Sequence, residues 1–332
     1  MKNPILALLF TVCICTATVE AQNIKPAGTV EHISEELSGI IKKNAKVEVI
    51  AEGFGFTEGP LWIEKEKMLL LSDIPANTVY KWTEKGGKEV FLKPGGYTGA
   101  VERGGFMGPN GLLLSPDGKL WICQHGDRRI AAMDASLLDP KPKYSTVAGT
   151  YDGKKLNSPN DLILSNNGDL YFTDPSYGFE KGPGDPSKEI DFQGVYKMDP
   201  TGKVMLLLDS IAQPNGIAMM PDEKTLIVSN SDPIKKQWYA YDIAEDGSIV
   251  SGRIFYDASN ELENGLCDGL KIDKKGNVFA SGPGGIWIFN KTGKVLGKIK
   301  IDGTTAANCA LSTDEKTLYI TAEKHLLRIK MR

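Results

Sequence analysis

A polar anchor recurs six times along this chain, and each time a second apolar strand begins ten or eleven residues later. The clearest copies are Pro109-Asn110-Gly111-Leu112, Pro159-Asn160-Asp161-Leu162 and Pro214-Asn215-Gly216-Ile217. Looser copies are Glu58-Gly59-Pro60-Leu61, Asp268-Gly269-Leu270 and Asn308-Cys309-Ala310-Leu311. Polar turns follow, among them Ser115-Pro116-Asp117-Gly118, Ser165-Asn166-Asn167-Gly168 and Asp273-Lys274-Lys275-Gly276. The second strands begin near Leu69, Leu120, Leu170, Leu226, Val278 and Leu318. Anchors at 58, 110, 160, 215, 268 and 308 are separated by 52, 50, 55, 53 and 40 residues. A repeat of about 50 residues holding several short strands is a propeller blade. The expected fold is therefore all-β: a six-bladed β-propeller over 46–332, with Gly194–Met198 and Val204–Asp209 as outer strands of the third blade. Only 24 residues follow Asn308, too few for a blade. The segment Lys46–Ile50 is therefore expected to supply an N-terminal strand that closes the last blade and removes an open sheet edge. The Gly-, Pro- and charge-rich stretch 175–193 reads as a long loop in blade three, at one end of the ring.

Composition agrees with that architecture. Gly accounts for 36 of 332 residues, which suits a chain of many turns and weighs against a helix bundle. The hydrophobic share of 41% is enough for a large core. A net charge of -3 excludes a basic nucleic-acid surface.

The first residues read as an export signal. Lys2 precedes an apolar run from Ile5 to Thr18, and Val19-Glu20-Ala21 offers small residues for cleavage after Ala21. The run is shorter than the roughly 20 residues a spanning helix needs. Residues 1–21 are thus expected to be a signal peptide, and the mature protein to be secreted or periplasmic without a membrane segment. In 22–45, Ile33, Leu37, Ile40 and Ile41 share one helical face and predict a short helix in an N-terminal extension. Cys123, Cys267 and Cys309 remain after cleavage, an odd number that excludes a full disulfide framework. Buried strand residues are the expected role of all three.

The innermost strand of each blade lines the central channel. The anchors Glu58, Asn110, Asn160, Asn215, Asp268 and Asn308 therefore converge on one place. Two carboxylates among amide carbonyls form an oxygen-only donor set, which suits one hard divalent cation. His32, His125 and His325 are isolated, and no Cys pairs at metal spacing, so a zinc cage is not expected.

In these segments the chain resembles the gluconolactonase and senescence-marker-protein (regucalcin-like) family of six-bladed propellers, over about 50–325. The resemblance is carried by Thr57-Glu58-Gly59-Pro60-Leu61-Trp62, Gly108-Pro109-Asn110-Gly111-Leu112 and Ser158-Pro159-Asn160-Asp161-Leu162. It continues through Leu170-Tyr171-Phe172-Thr173-Asp174-Pro175-Ser176-Tyr177-Gly178, Gln213-Pro214-Asn215-Gly216-Ile217-Ala218 and Cys267-Asp268-Gly269-Leu270. It implies a lactone-hydrolysing enzyme whose catalytic cation is held by Glu58, Asn160, Asn215 and Asp268. Ca²⁺ stands first among the candidates, with Mg²⁺, Mn²⁺ and Zn²⁺ behind it. Asp268 is the expected catalytic carboxylate, orienting water for attack. Asn110, His125 and Arg129 are the expected substrate contacts, with His125 as a proton donor and Arg128 beside Arg129. Gln124 stands where many secreted relatives carry an acid before the His-Gly pair. The implied partner is a small sugar-type lactone, and a monomer suffices. The alternatives are phosphotriester hydrolysis at the same site and a non-enzymatic propeller that binds a sugar or a protein.

Overall fold

The computed structural model describes residues 27–101 and 104–332. The proposed signal peptide lies outside the described residues.

Six antiparallel sheets are arranged as blades around a channel. Blade one comprises Thr57–Ile63, Met68–Asp73, Thr78–Thr83 and Gly87–Leu92. Blades two to four begin at Pro109–Leu114, Leu162–Leu164 and Pro214–Met219, and blades five and six at Leu270–Ile272 and Asn308–Leu311. The outer strands of blade three are Gly194–Met198 and Val204–Leu208, as the sequence suggests. The ring closes as expected: Val47–Glu52 is the outermost strand of blade six, pairing Val47 with Ile329 and Glu52 with His325.

One turn is repeated six times between the first and second strands. In every copy the fourth residue donates its N–H to the carbonyl three residues back and adopts positive φ. These residues are Lys67, Gly118, Gly168, Glu223, Gly276 and Glu315. Gly takes that conformation freely, whereas an L-residue costs about 1–2 kcal/mol. The two glutamates offset this by bridging blades. Glu223 Oε1 accepts from Asn166 N at 2.8 Å, and Glu315 Oε1 accepts from Lys274 N at 2.9 Å.

The N-terminal extension holds its short helix as a 3-10 turn and adds a strand not expected of it. Gly28–His32 is a strand that adds to the outer edge of blade five, pairing Gly28 with Ile301 and His32 with Gly297. A single 3-10 turn, Glu35–Gly39, follows, capped by Ser34 Oγ accepting from Glu36 N. Leu37 and Ile41 are fully buried against blades five and six, while Ile33 is 55% exposed. Each of the two buried side chains contributes roughly 1.5–3 kcal/mol. Five residues ending at Gly39 are too few to carry a helical face.

Aromatic packing joins neighbouring blades. Trp238 lies 5.9 Å from Trp287 and 5.3 Å from Phe289 between blades four and five. Phe172 stacks on Tyr196 within blade three at 5.3 Å. Cys123, Cys267 and Cys309 are free and buried; Cys123 and Cys309 are strand residues as expected, whereas Cys267 sits in the bend before Leu270–Ile272.

Candidate active site

The anchors reach one end of the channel because of what lies opposite and after them. Opposite each anchor, the second strand carries Ser72, Cys123, Thr173, Ser229, Ser281 or Thr321. Four of these hydroxyls cross to the next blade. Ser72 donates to Asn110 O, Thr173 to Asn215 O, Ser229 to Asp268 O and Ser281 to Ala307 O, each at 2.6 Å. Each buried bond contributes about 1 kcal/mol, and the four fix, from the blade before, the backbone of three anchors and of the residue preceding the fourth, Asn308. The following residue fixes the incoming loop. Asp73 accepts from Gly55 N and Phe56 N, Asp174 from Asn157 N and Ser158 N, and Asn230 from Gln213 N. After the anchor, glycine permits close approach. A Cβ on Gly59 would lie 2.0 Å from Asn110 O, and one on Gly216 would lie 2.4 Å from Asp268 O.

Six of the side chains named from the sequence line one cavity of about 270 Å³: Glu58, Asn110, His125, Asn160, Asn215 and Asp268. Glu58 Oε2 accepts from Gly59 N at 2.8 Å and from the Asn308 amide at 3.1 Å. Asn308, the sixth anchor, thus holds Glu58 rather than lining the cavity. Burial pushes the Glu58 carboxyl up to about 7. Burial pushes Asp268 well above the carboxylate range, and the Glu58 and Asp161 charges add to it. Asn215 opposes that shift by hydrogen bonding to Asp268, and its Nδ2 also donates to Ser231 Oγ at 2.9 Å.

The oxygens that lack partners point to a ligand. Asp268 Oδ1 and Asn110 Oδ1 are buried without a hydrogen bond. Two buried carboxyls and two anchor amides form a hard oxygen set that fits a divalent cation, whose charge would relieve the desolvation of Glu58 and Asp268. No group of three or more His, Cys, Asp or Glu able to hold a metal occurs among the described residues, which fits a donor set that is half amide.

His125 is fully buried, and its Nδ1 lies 2.9 Å from Phe106 O. A carbonyl only accepts, so Nδ1 carries the proton and Nε2 is a bare lone pair. Nε2 has no protein partner. Burial lowers the imidazole to about 4. The proton-donor role expected of His125 is therefore corrected to an accepting one.

Arg129 does not line the cavity. Its guanidinium is bound to Gln124 Oε1 at 2.8 Å, Thr146 Oγ1 at 3.0 Å and Asp127 Oδ2 at 3.1 Å. Gln124 is what holds it, while donating its own amide to Gly95 O. Arg128 is turned toward Leu156 O, Lys155 O and Ser187 O, and clamps the long loop of blade three.

Several cavity residues had no role assigned from sequence: Phe56, Ile74, Phe106, Tyr177, Gln213, Ser231 and Leu266. Tyr177 comes from the 175–193 loop and donates to Gln213 Oε1 at 3.3 Å. Phe56 and Phe106 meet edge to face at 5.9 Å. The cavity is thus polar at its floor and largely apolar at its rim.

Known proteins share this arrangement. The family model described as SMP-30/Gluconolactonase/LRE-like region matches residues 56–324. A gluconolactonase of Zymomonas mobilis is 37% identical over 98% of this chain and 94% of its own length. A lactonase of Staphylococcus saprophyticus is 27% identical over 62% of this chain and 60% of its own. Among solved structures, a gluconolactonase from Xanthomonas campestris superposes with a TM-score of 0.78 at 28% identity, covering 94% of this chain and 99% of that one.

Proposed function

This chain belongs to the SMP-30/gluconolactonase/LRE-like family, and on that footing we propose that it hydrolyses lactones at the channel cavity. The observation that carries the reading is the buried Glu58–Asp268 pair with Asp268 Oδ1 unpartnered at a cavity of about 270 Å³. A divalent cation held by Glu58, Asn160, Asn215 and Asp268, Ca²⁺ first, would supply Lewis-acid polarisation of the lactone carbonyl. Asp268 Oδ1 orients the attacking water and draws its proton as the oxygen adds to the carbonyl carbon. The ring acyl–oxygen bond then breaks, and the proton passes to the departing alkoxide, giving a hydroxy acid. His125 Nε2 accepts a hydrogen bond from a substrate hydroxyl, which suits a sugar-type lactone. Phe56, Ile74, Phe106 and Leu266 cover the ring and exclude water. Tyr177, held by Gln213, braces the wall opposite.

Export through a leader ending at Ala21, and action as a monomer, belong to the same proposal. The first is supported by Lys2 and the apolar run Ile5 to Thr18.

The test is a lactone panel read by acid release, after chelation and again with Ca²⁺, Mg²⁺, Mn²⁺ or Zn²⁺ added. Hydrolysis that disappears on chelation and returns with one cation is expected. Full activity in excess chelator overturns the cation reading, and a phosphotriester turned over faster than any lactone overturns the substrate.

A further inference from the structure

The six-fold repeat is broken at two channel positions, and the two charged exceptions meet. After the anchor, four blades carry glycine: Gly59, Gly111, Gly216 and Gly269. Blade six has Cys309, whose thiol turns to Phe279 O, and blade three has Asp161. Three residues after the anchor, five blades carry Leu61, Leu113, Ile163, Ala218 and Leu311, and blade five alone carries a charge, Lys271. Lys271 Nζ lies 3.4 Å from Asp161 Oδ2, joining residues 110 positions apart. Blades three and five are not neighbours, so this pair spans the channel. The Asp161 side chain is only 3% exposed, and its Oδ1 accepts from Leu162 N. The Asp161 charge raises the Glu58 carboxyl further and the Lys271 charge lowers it, and the Asp161 and Glu58 charges both raise Asp268.

The geometry points to the Asp161–Lys271 pair as the device that sets the charge, and so the cation affinity, of the channel site. With a cation bound and every carboxyl ionised, Glu58, Asp268 and Asp161 with Lys271 sum to a formal charge of −2, which one divalent cation neutralises. Without Lys271 the cluster would be −3 and would hold a cation more tightly. Without Asp161 it would be −1 and would hold one more weakly. Asp161 is buried and Lys271 is 29% exposed, and such a pair is poor evidence of stability in itself, since hydrophobic replacements of buried ion pairs are often as stable. Its presence at two positions that the repeat otherwise fills with Gly, Cys and aliphatic residues is better accounted for by its effect on the Glu58 and Asp268 carboxylates.

This inference rests on the cation site proposed above. Its test is calorimetric titration of the folded, chelator-treated protein with Ca²⁺ alone. Lys271→Gln and Asp161→Asn keep hydrogen-bonding groups in place and are each checked for native circular dichroism. Lys271→Gln is expected to tighten Ca²⁺ binding about tenfold, and Asp161→Asn to weaken it about tenfold, from the change of one unit charge at short range. The double variant returns the cluster to −2 and is expected within about twofold of the parent protein. Each single variant is read separately, so one that fails to fold leaves the sign of the other as the test. Shifts of the same sign in both, or none beyond twofold in either, overturn the inference while leaving the cation site standing. A parent protein that binds no Ca²⁺ or other divalent cation overturns both.

Discussion

The Asn308 side-chain amide donates to Glu58 Oε2 at 3.1 Å, across 250 residues of sequence. The anchor of the last blade thereby holds the anchor of the first. Asn308 Oδ1 accepts from Cys309 N at 2.8 Å, so the amide cannot flip without losing two bonds. Ring closure and the orientation of one candidate cation ligand are therefore the same event.

Asn308→Ala is expected to weaken Ca²⁺ binding about 10–100-fold, the usual effect of removing a group that orients a ligand. Global stability should fall by only about 1–2 kcal/mol, since the carboxyl keeps Gly59 N. Calorimetric titration and thermal melts measure the two separately. Unchanged affinity would make Asn308 a spacer.

Asp268→Asn removes one of two buried carboxyls at the site. A fall in kcat/KM of at least about a thousandfold is expected, because the oxygen facing the attacking water loses its basicity. Cation-free protein should melt no lower than the parent, since burial and the Glu58 charge both disfavour the ionised Asp268 that is removed. Added Ca²⁺ should raise the melting temperature of the parent and not of the variant. A variant that melts far below the parent would show Asp268 to be structural.

His125 gives stability a defined slope on the acid side. Its folded value is lowered to about 4, against 6.5 for the free side chain. Above pH 6.5 the ring is neutral in both states and costs nothing. As pH falls from 6.5 toward 4 the unfolded chain takes up the proton and the folded one does not. Stability is lost over that window, by about 3 kcal/mol at most. Denaturant titrations at pH 7 and pH 5 should show the loss, and His125→Gln should lessen it. The same burial removes any imidazole ionisation near pH 6.5 from the activity profile.

The anchors were legible because they repeat. A residue needed once per blade recurs at a nearly fixed interval, and its chemistry is set by the channel it faces. The rim was not, because Phe56, Phe106 and Leu266 come from loops between blades, where length and sequence are free to vary. Arg129 misled for a local reason: it follows His125 closely, but Gln124 and Asp127 on the same hairpin hold its guanidinium. Asp161 was visible in the motif Asn160-Asp161-Leu162, and only the cross-channel approach of Lys271 gave it a meaning. The strand Gly28–His32 was missed since Gly28, Glu31 and His32 give it little β character, and its pairing with Val295–Ile301 supplies what propensity does not.

The apolar rim makes a prediction about substituents on the lactone. Phe106 is 45% exposed, meets Phe56 at 5.9 Å, and passes its carbonyl to His125. A short alkyl chain on the ring would lie against these two aromatic rings and Leu266, where each buried methylene contributes about 0.8 kcal/mol. The parent protein is expected to prefer an alkyl-substituted δ-lactone to the unsubstituted ring in kcat/KM. Phe106→Ser removes one aromatic ring and keeps the backbone carbonyl that fixes His125. The ratio of kcat/KM for the two lactones should then fall about five- to tenfold. Equal losses on both lactones would place Phe106 in the support of His125 and leave the substituent to another part of the rim.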